Sequence, residues 1–162
     1  MTAYFDPNPQ PDADPDAQLV LRPMAADDLD AVLFIERSFA APWSREMFDQ
    51  ELRQTDISDS RVATANGAVL GYVLWWYVAD EVHVVNLAVH PRWRRRGIAR
   101  LLMDEVFRLG RSRGMKIATL EVRAHNDPAI GLYESMQFQK IAIRRSYYAD
   151  NGEDALVMLK TL

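Results

Sequence analysis

Apolar and polar residues alternate along the chain with two periods, one typical of a strand and one typical of a helix. The segments with strand periodicity are residues 19–22, 61–65, 68–77, 82–89, 115–123, 142–148 and 155–159. Asn66-Gly67 joins the second and third of these segments, and this dipeptide favours a two-residue hairpin. Asp150-Asn151-Gly152 connects the last two segments, which we expect to form a closing hairpin.

Four further segments have helical spacing. Candidate caps at the starts of three of them are Asp27 or Asp28, Ser44, and Asn126 or Asp127. The remaining segment, the third in chain order, begins near Gly97 and ends at Gly114. The apolar faces of the first three contain Leu29, Val32, Leu33 and Phe39; Met47, Phe48 and Leu52; and Ile98, Leu101, Leu102, Val106 and Leu109. The predicted order, β-α-α-β-β-β-α-β-α-β-β, indicates an α/β protein with a mixed sheet.

The connection between the fourth strand and the third helix contains a glycine and three consecutive arginines, Arg94 to Arg96. The start of a helix has unpaired N–H groups and a partial positive charge, so it attracts anions. Gly97 lets a ligand approach the backbone because no Cβ lies in the way, and arginine side chains suit phosphate groups. We therefore expect a diphosphate-bearing ligand at this turn. The alternative is a solvated arginine cluster around a helix cap.

The composition of the 162-residue chain, with 49% hydrophobic residues, predicts one domain with a sizeable core. The sequence contains no cysteine, which excludes disulfides and a thiolate nucleophile. The net charge of −4 comes from residues 1–18, because residues 19–162 contain 19 basic and 19 acidic side chains. This balance argues against broad nucleic-acid binding. We predict a disordered, acidic, proline-rich extension over residues 1–18 and a single domain over residues 19–162.

No segment resembles a signal peptide, and no apolar run is long enough to span a membrane. We therefore expect a cytoplasmic protein without a membrane partner, either a monomer or a weak dimer. His83, His90 and His125 do not have the spacing of metal ligands, so we expect no metal.

Several motifs in a fixed order resemble the GNAT superfamily of acetyl-CoA-dependent N-acetyltransferases, over residues 19–162. Arg94, Gly97 and Ala99 match the superfamily's phosphate-binding pattern, Arg/Gln-x-x-Gly-x-Gly/Ala. Within the superfamily, the chain is most similar to the ribosomal-protein alanine N-acetyltransferase (RimI-type) family. The segments that resemble this family are Pro42-Trp43-Ser44, Asn86-Leu87-Ala88-Val89-His90-Pro91, Leu120-Glu121-Val122-Arg123-Ala124-His125-Asn126, Leu132-Tyr133-Glu134-Ser135 and Arg144-Arg145-Ser146-Tyr147-Tyr148.

The resemblance implies the GNAT acyl-CoA N-acyltransferase fold, a mixed, mostly antiparallel sheet of about seven strands flanked by about four helices. It also implies that acetyl-CoA is the co-substrate, with its pantetheine part paired to a strand backbone as an added strand would be. The pyrophosphate would lie on the backbone amides of the arginine turn, and Asn126 would contact pantetheine unless it only caps a helix. The implied coenzyme-binding residues are Leu87, Ala88, Val89, Arg94, Arg95, Arg96, Gly97, Ile98, Ala99, Arg100 and Asn126.

Glu121 is the candidate catalytic base. An α-amino group has a pKa near ~8, so a nearby carboxylate is needed to receive its proton, directly or through water. Glu121 lies between Leu120 and Val122 in a predicted central strand, where an unpaired carboxylate would be costly. The alternative is an ion pair with an arginine such as Arg123, which shares its face of the strand.

Tyr133 is the candidate general acid, which would give its phenolic proton to the thiolate of coenzyme A. A phenol with a pKa of about 10 keeps its proton at neutral pH. The alternative is a core residue, because Ala129, Ile130, Tyr133 and Met136 recur with helical spacing.

Four further residues are implied to flank the groove for the substrate N-terminus: Pro42, Trp43, Tyr147 and Tyr148. Aromatic side chains there would exclude water and hold a peptide backbone, although any one of them could instead be hydrophobic packing.

The resulting hypothesis is direct acetyl transfer to the N-terminal alanine of a small-subunit ribosomal protein. The alternatives are acetylation of a small amine, such as a polyamine or aminoglycoside, and a non-catalytic acyl-CoA-binding module. One departure from the family pattern concerns Gln137, which stands where glycine usually precedes the Phe that follows the short helix. A left-handed backbone at that position would cost about 1 kcal/mol.

Overall fold

The structure is a computed structural model that describes residues 18–162. The predicted extension over residues 1–18 therefore lies outside the described residues, apart from Gln18. The strands are β1 (Val20–Pro23), β2 (Ser58–Ala65), β3 (Ala68–Val78), β4 (Glu81–Val89), β5 (Ile117–Arg123), β6 (Gln139–Arg144) and β7 (Ala155–Thr161). The helices are α1 (Leu29–Glu36), α2 (Arg45–Arg53), α3 (Ile98–Ser112) and α4 (Asp127–Ser135). This order of elements confirms the predicted order.

The strands form one seven-stranded sheet in the order β1-β2-β3-β4-β5-β7-β6. β4 and β5 are parallel, whereas β1–β2, β5–β7 and β6–β7 are antiparallel, which confirms the predicted mixed sheet. The register of β4 on β5 pairs residues 81–84 with residues 117–120. Residues 85–89 of β4 continue the strand beyond this pairing.

The chain divides into two compact units, and strands β3 and β4 each contribute residues to both units. Among the described residues, the first unit contains residues 18–74 together with Asn86–Leu102, and the second contains Trp75–Val85 and Met103–Leu162. Each unit has a buried core of its own. The largest fully buried side chains of the first are Tyr72, Phe48, Leu29, Ile35, Leu70, Leu74, Ile98 and Leu102, and those of the second are Trp75, Met103, Leu120 and Met158.

Local signals in the sequence account for most boundaries of the elements. Asn66 and Gly67 both have positive φ angles, 50° and 80°, which is the geometry of a two-residue hairpin turn. The Ser44 side chain caps α2 by accepting a hydrogen bond from Met47 N–H, as predicted. Gly114 follows α3 with a φ of 77°, the left-handed conformation that commonly ends a helix.

Three local predictions are wrong. Phe39 lies beyond the end of α1 and is 39% exposed, and Met47 is 43% exposed, so neither side chain joins the predicted apolar faces. The predicted strand over residues 142–148 is instead β6, Gln139–Arg144. It ends earlier because Ser146 has a φ of 49° and its N–H bonds to Asp154 Oδ1, so the chain turns there. Tyr147 and Tyr148 consequently lie in the β6–β7 loop.

No helix within residues 18–162 is long and apolar enough to cross a membrane.

Candidate active site

Glu121 lies on β5 in the second unit and faces two basic side chains. His83 Nε2 is 2.9 Å from Glu121 Oε2, and Arg144 Nε is 3.3 Å from Oε1. The hydrogen bond from His83 is the largest influence on the pKa of this carboxyl, which is lowered below its usual 4.5 despite the opposing effect of burial. Glu121 is therefore an ionised carboxylate at neutral pH.

The alternative partner considered for Glu121, Arg123, is engaged elsewhere. Its guanidinium bonds to both carboxylate oxygens of Asp150, at 3.1 and 3.0 Å, and lies 3.4 Å from Glu153. It also lies over the Tyr148 ring, with 3.9 Å between Cζ and the ring centroid. Arg123 thus ties β5 to the β6–β7 loop, and the arginine that pairs with Glu121 is Arg144, on β6.

His83 connects Glu121 to a chain of polar groups on β4 and β5. Its Nδ1 lies 2.9 Å from Thr119 Oγ1, which in turn lies 3.4 Å from Glu81 Oε2. Thr119 has one hydroxyl proton: when it donates to Glu81 Oε2, its oxygen accepts from a protonated His83 Nδ1. When His83 carries its proton on Nε2 alone and donates to Glu121, Nδ1 takes the Thr119 proton in place of Glu81. The sequence pattern assigned no role to His83, because its proximity to Glu121 depends on the register between two strands that are far apart in the chain.

Tyr133 lies on α4 and is 8% exposed. Burial, and to a lesser extent the charge of Tyr148, raises the pKa of Tyr133 to about 12. Its ring contacts that of Phe138 edge to face, at 5.7 Å between centroids. Tyr133 is therefore a core side chain, as the alternative interpretation predicts, and its phenol keeps its proton at neutral pH; its role as the general acid stays a prediction.

The Tyr147–Tyr148 pair lies in the β6–β7 loop with its rings edge to face at 5.2 Å. Tyr147 is 48% exposed, whereas Tyr148 is half-buried. Burial is the main cause that raises the pKa of Tyr148 to about 12, and the charge of Glu121 raises it further. Tyr148 also raises the pKa of Tyr133, so its ring lies within electrostatic range of both Glu121 and Tyr133.

Asn126 caps α4. Its Oδ1 accepts a hydrogen bond from Ala129 N–H at 3.3 Å, and Pro128 occupies the first turn of the helix. The structure therefore gives Asn126 a local role, and its expected contact with pantetheine stays a prediction.

In the first unit, the end of β4 and the arginine turn are joined by Arg94. Its Nε donates to the carbonyl of Val89 at 3.1 Å, and its Nη2 donates to Ser38 Oγ at 3.0 Å. The residue that matches the first position of the phosphate-binding pattern thus fixes the turn against the strand, because both bonds go to protein groups.

The turn itself has the backbone geometry of an anion site. Arg95 and Gly97 have positive φ angles of 64° and 82°, and α3 begins at Ile98. Left-handed Gly97 directly precedes the right-handed residues of α3, an arrangement that turns successive N–H groups toward one concave side, and the first N–H groups of a helix have no intrahelical acceptor. A Cβ on Gly97 would have no atom within 4 Å, so the backbone is open to a ligand there. These residues fit the pyrophosphate of acetyl-CoA.

Trp43 lies in the first unit, in the connection between α1 and α2. Its backbone N–H donates to Glu36 Oε1 at 2.8 Å, and its ring lies 5.3 Å from that of Phe48 between centroids. Pro42 before it is exposed. Glu36, which the sequence interpretation did not single out, is an acidic residue on the buried face of α1, seven positions after Leu29 and four after Val32. That position is the signal by which it could have been found.

The structure thus groups the predicted residues by unit. Glu121, Asn126, Tyr133, Tyr147 and Tyr148 lie in the second unit, and Pro42, Trp43, residues 87–89 and residues 94–100 lie in the first. Within residues 18–162, no group of three or more histidine and acidic side chains has an arrangement suited to a metal ion.

Comparisons with known proteins agree with the sequence motifs. The sequence pattern of the acetyltransferase (GNAT) family matches residues 29–138. The chain is 37% identical over 134 residues to the [ribosomal protein bS18]-alanine N-acetyltransferase of Escherichia coli K12, covering 81% of this chain and 89% of that protein. It is 33% identical to the N-alpha-acetyltransferase RimI of Mycobacterium tuberculosis, covering 81% of each chain. The crystal structure of the E. coli ribosomal-protein-S18-alanine N-acetyltransferase superposes with a TM-score of 0.81 at 34% identity, covering 89% of this chain and 94% of that one.

Proposed function

The chain belongs to the acetyltransferase (GNAT) family, and from this premise we propose that it acetylates the N-terminal α-amine of a protein. The proposed substrate is the N-terminal alanine of ribosomal protein bS18, and the acetyl donor is acetyl-CoA. The observation that carries the proposal is the 37% identity, over four fifths of the chain, to an enzyme named for that reaction. An ionised carboxylate and a buried, protonated phenol, both in the second unit, support it.

Glu121 is the proposed acceptor of the proton that the attacking amine loses. Its carboxylate is ionised at neutral pH, and only 14% of its side chain is exposed, so the acceptor is present and partly shielded from water. His83 holds one oxygen of this acceptor, because its Nε2 lies 2.9 Å from Glu121 Oε2. Arg144 holds the other oxygen, which leaves the carboxylate oriented rather than free to rotate.

Tyr133 is the proposed donor of the proton that the departing thiolate takes up. Its pKa of about 12 keeps the phenol protonated at every pH at which the enzyme is expected to work. Phe138 packs against its ring, and this contact restricts the orientation of the ring.

The first unit is proposed to bind acetyl-CoA. Residues 86–89 belong to the part of β4 beyond its pairing with β5, so their backbone groups suit the strand-like pairing expected for pantetheine. The turn from Arg94 to Gly97 and the start of α3 would hold the pyrophosphate, with exposed Arg95 and Arg96 supplying positive charge. Acetyl-CoA supplies the acyl group, and the absence of cysteine from the chain agrees with direct transfer to the amine.

The test uses the purified chain, acetyl-CoA and a synthetic peptide that begins with alanine and contains one internal lysine. We expect one acetyl group per peptide, located on the α-amine by fragmentation mass spectrometry, and a matching release of coenzyme A thiol. A peptide of the same sequence with a blocked N-terminus is the control and should stay unmodified. The proposal would be contradicted if the lysine were the only acetylated group, or if the peptide with the free N-terminus were not acetylated at all.

A panel that includes a polyamine and an aminoglycoside separates the proposal from its main alternative. Faster turnover of either small amine than of the alanine peptide would assign the enzyme to small-molecule acetylation instead.

A further inference from the structure

Glu36 is a buried carboxyl group for which the proposed reaction has no use. It is the last residue of α1 and is 2% exposed. Burying a carboxylate costs free energy unless hydrogen-bond donors replace the water it loses. Burial raises the pKa of Glu36, and the hydrogen bonds that it accepts oppose this effect.

Three donors surround the carboxylate, and each belongs to a different segment of the first unit. Trp43 N–H, from the α1–α2 connection, bonds to Oε1 at 2.8 Å. The hydroxyl of Tyr72, on β3, bonds to Oε2. Asn86 Nδ2, on β4, lies 3.3 Å from Oε2 and 3.4 Å from Oε1. Since all three groups donate, the side chain at position 36 must act as an acceptor.

A series of aromatic ring contacts also connects Trp43 to Glu36. The Trp43 ring contacts the Phe48 ring at 5.3 Å, and Phe48 contacts the Tyr72 ring edge to face at 5.7 Å. The Tyr72 hydroxyl then bonds to Glu36. Trp43 is therefore held at its backbone and at its ring, and both attachments end at one carboxylate.

The segment attached in this way is irregular, and Arg94 fixes its start by donating to Ser38 Oγ. Residues 37–44 form neither a helix nor a strand, and residues 37–42 are exposed. They connect α1 to α2, whose first cap is Ser44. A bond from a buried carboxylate to Trp43 N–H is thus an anchor for an otherwise exposed connection that carries Pro42 and Trp43, two predicted substrate-binding residues.

We propose that Glu36 is a positioning residue for the peptide substrate, acting through Trp43. By accepting the Trp43 N–H, it holds the Pro42–Ser44 segment in the conformation that binds the substrate N-terminus. The inference rests on the proposed function, because it assigns a substrate to this segment. It concerns binding of the peptide and leaves proton transfer at Glu121 and Tyr133 unaffected.

Two substitutions at position 36 test the role of the acceptor. Glu36→Met keeps the approximate length of the side chain and removes both oxygens, so Trp43 N–H loses its partner. Glu36→Gln keeps one carbonyl oxygen for Trp43 N–H, while its amide group can donate to the Tyr72 oxygen. We expect Glu36→Met to raise the KM for the alanine peptide about tenfold. Glu36→Gln should restore it to within about threefold of wild type, and the KM for acetyl-CoA should change less than about twofold in both.

A matched control removes a buried carboxyl of the same unit that has no link to the predicted site. Asp28 is 7% exposed and accepts bonds from Arg22 and from Ala25 N–H. Asp28→Leu should lower stability and leave the peptide KM unchanged when all variants are assayed well below their melting temperatures. Amide exchange of residues 37–44 should accelerate in Glu36→Met and not in Asp28→Leu.

Other results would overturn the inference. A peptide KM in Glu36→Met equal to that of wild type would do so, as would a KM for acetyl-CoA that rises as much as the KM for the peptide. If Glu36→Met does not fold, Tyr72→Phe tests the same role, because it removes one donor and keeps the carboxylate. We expect a peptide KM about threefold above that of wild type. An unchanged peptide KM would contradict the inference. Wild-type protein is assayed alongside: if it does not acetylate the peptide, the proposed function fails and this inference falls with it.

Discussion

Replacing Gln137 with glycine should stabilise the protein, because the chain ends two helices in the same way with different residues. After α3, the N–H groups of Gly114 and Met115 bond to the carbonyls of Arg111 and Gly110, and Gly114 has a φ of 77°. After α4, the N–H groups of Gln137 and Phe138 bond in the same pattern to Glu134 and Tyr133, and Gln137 has a φ of 70°. Both are Schellman motifs, but only the first has glycine at its left-handed position.

The size of the effect follows from three contributions. A residue with a Cβ pays about 1–2 kcal/mol for the left-handed conformation. Glycine loses more backbone entropy on folding, and this loss reduces the gain in stability from the substitution by about 0.5–1 kcal/mol. Glycine also loses the exposed bond between Lys160 Nζ and Gln137 Oε1, 3.2 Å long and worth a few tenths of a kcal/mol at most in this setting. The net gain is about 0.5 kcal/mol, which corresponds to a rise in Tm of about 1–2 °C.

Urea unfolding of the full chain, monitored by circular dichroism and repeated by calorimetry, measures this change. Gln137→Ala is the control, because it loses the same bond to Lys160 and keeps the cost of the left-handed backbone. We expect it to be no more stable than wild type. The reasoning would be refuted if Gln137→Gly were no more stable than wild type, or if Gln137→Ala gained as much. Acetylation rates should be equal in all three proteins, since Gln137 is exposed and lies outside the predicted site.

Four further predictions concern the site. Glu121→Gln should lower kcat by about 100-fold or more and leave the KM for acetyl-CoA unchanged, as measured by thiol release; a kcat near wild type would remove Glu121 from proton transfer. Tyr133→Phe should lower kcat by a similar factor of about 100, while calorimetry shows acetyl-CoA binding nearly intact; equal turnover in mutant and wild type would contradict its role as the acid. Gly71→Ala should raise the KM for acetyl-CoA about tenfold, because the new Cβ would lie 2.8 Å from the carbonyl oxygen of Ala88; Gly131→Ala, whose Cβ would have no atom within 4 Å, should leave it unchanged. The kcat/KM for the peptide should rise with pH as the α-amine, with a pKa near ~8, loses its proton. It should not fall between pH 8 and about 10, because the acid acts while protonated and the pKa of Tyr133 is about 12. A decline in that range would assign the acid to another group.

Much of the fold was predictable because its signals are local. The Asn66-Gly67 hairpin, the cap at Ser44 and the glycine after α3 each depend on the conformational preference of one or two residues, and all three are present in the structure. The end of β6 was not predictable in this way. It depends on Asp154, which accepts the N–H of Ser146 from the far side of the loop, and no pattern within residues 142–148 reveals that bond.

The candidate site also has a part that the sequence predicts and a part that it does not. The residue types that fit acid–base chemistry, Glu121 and Tyr133, could be selected from the sequence through the family resemblance. The surroundings that decide their behaviour could not, because His83 and Arg144 reach Glu121 from other strands. Arg123 illustrates the difference: it shares a strand face with Glu121, yet the loop acids Asp150 and Glu153 take its guanidinium instead.

The lowered pKa of Glu121 restricts when this carboxylate can act. The hydrogen bond from His83 holds its pKa below the usual value, whereas that of an α-ammonium is near ~8, so removing a proton from the free ammonium would be strongly uphill. Glu121 is therefore a poor base for generating the neutral amine, which the substrate supplies by its own ionisation. Once the nitrogen has bonded to the acetyl carbon it carries a positive charge and becomes more acidic, and a fixed carboxylate beside it then stabilises that charge and receives the proton. On this argument, Glu121→Gln lowers the rate by the same factor at pH 7 and pH 9; a defect that disappeared at pH 9 would show that Glu121 acts earlier, on the free ammonium.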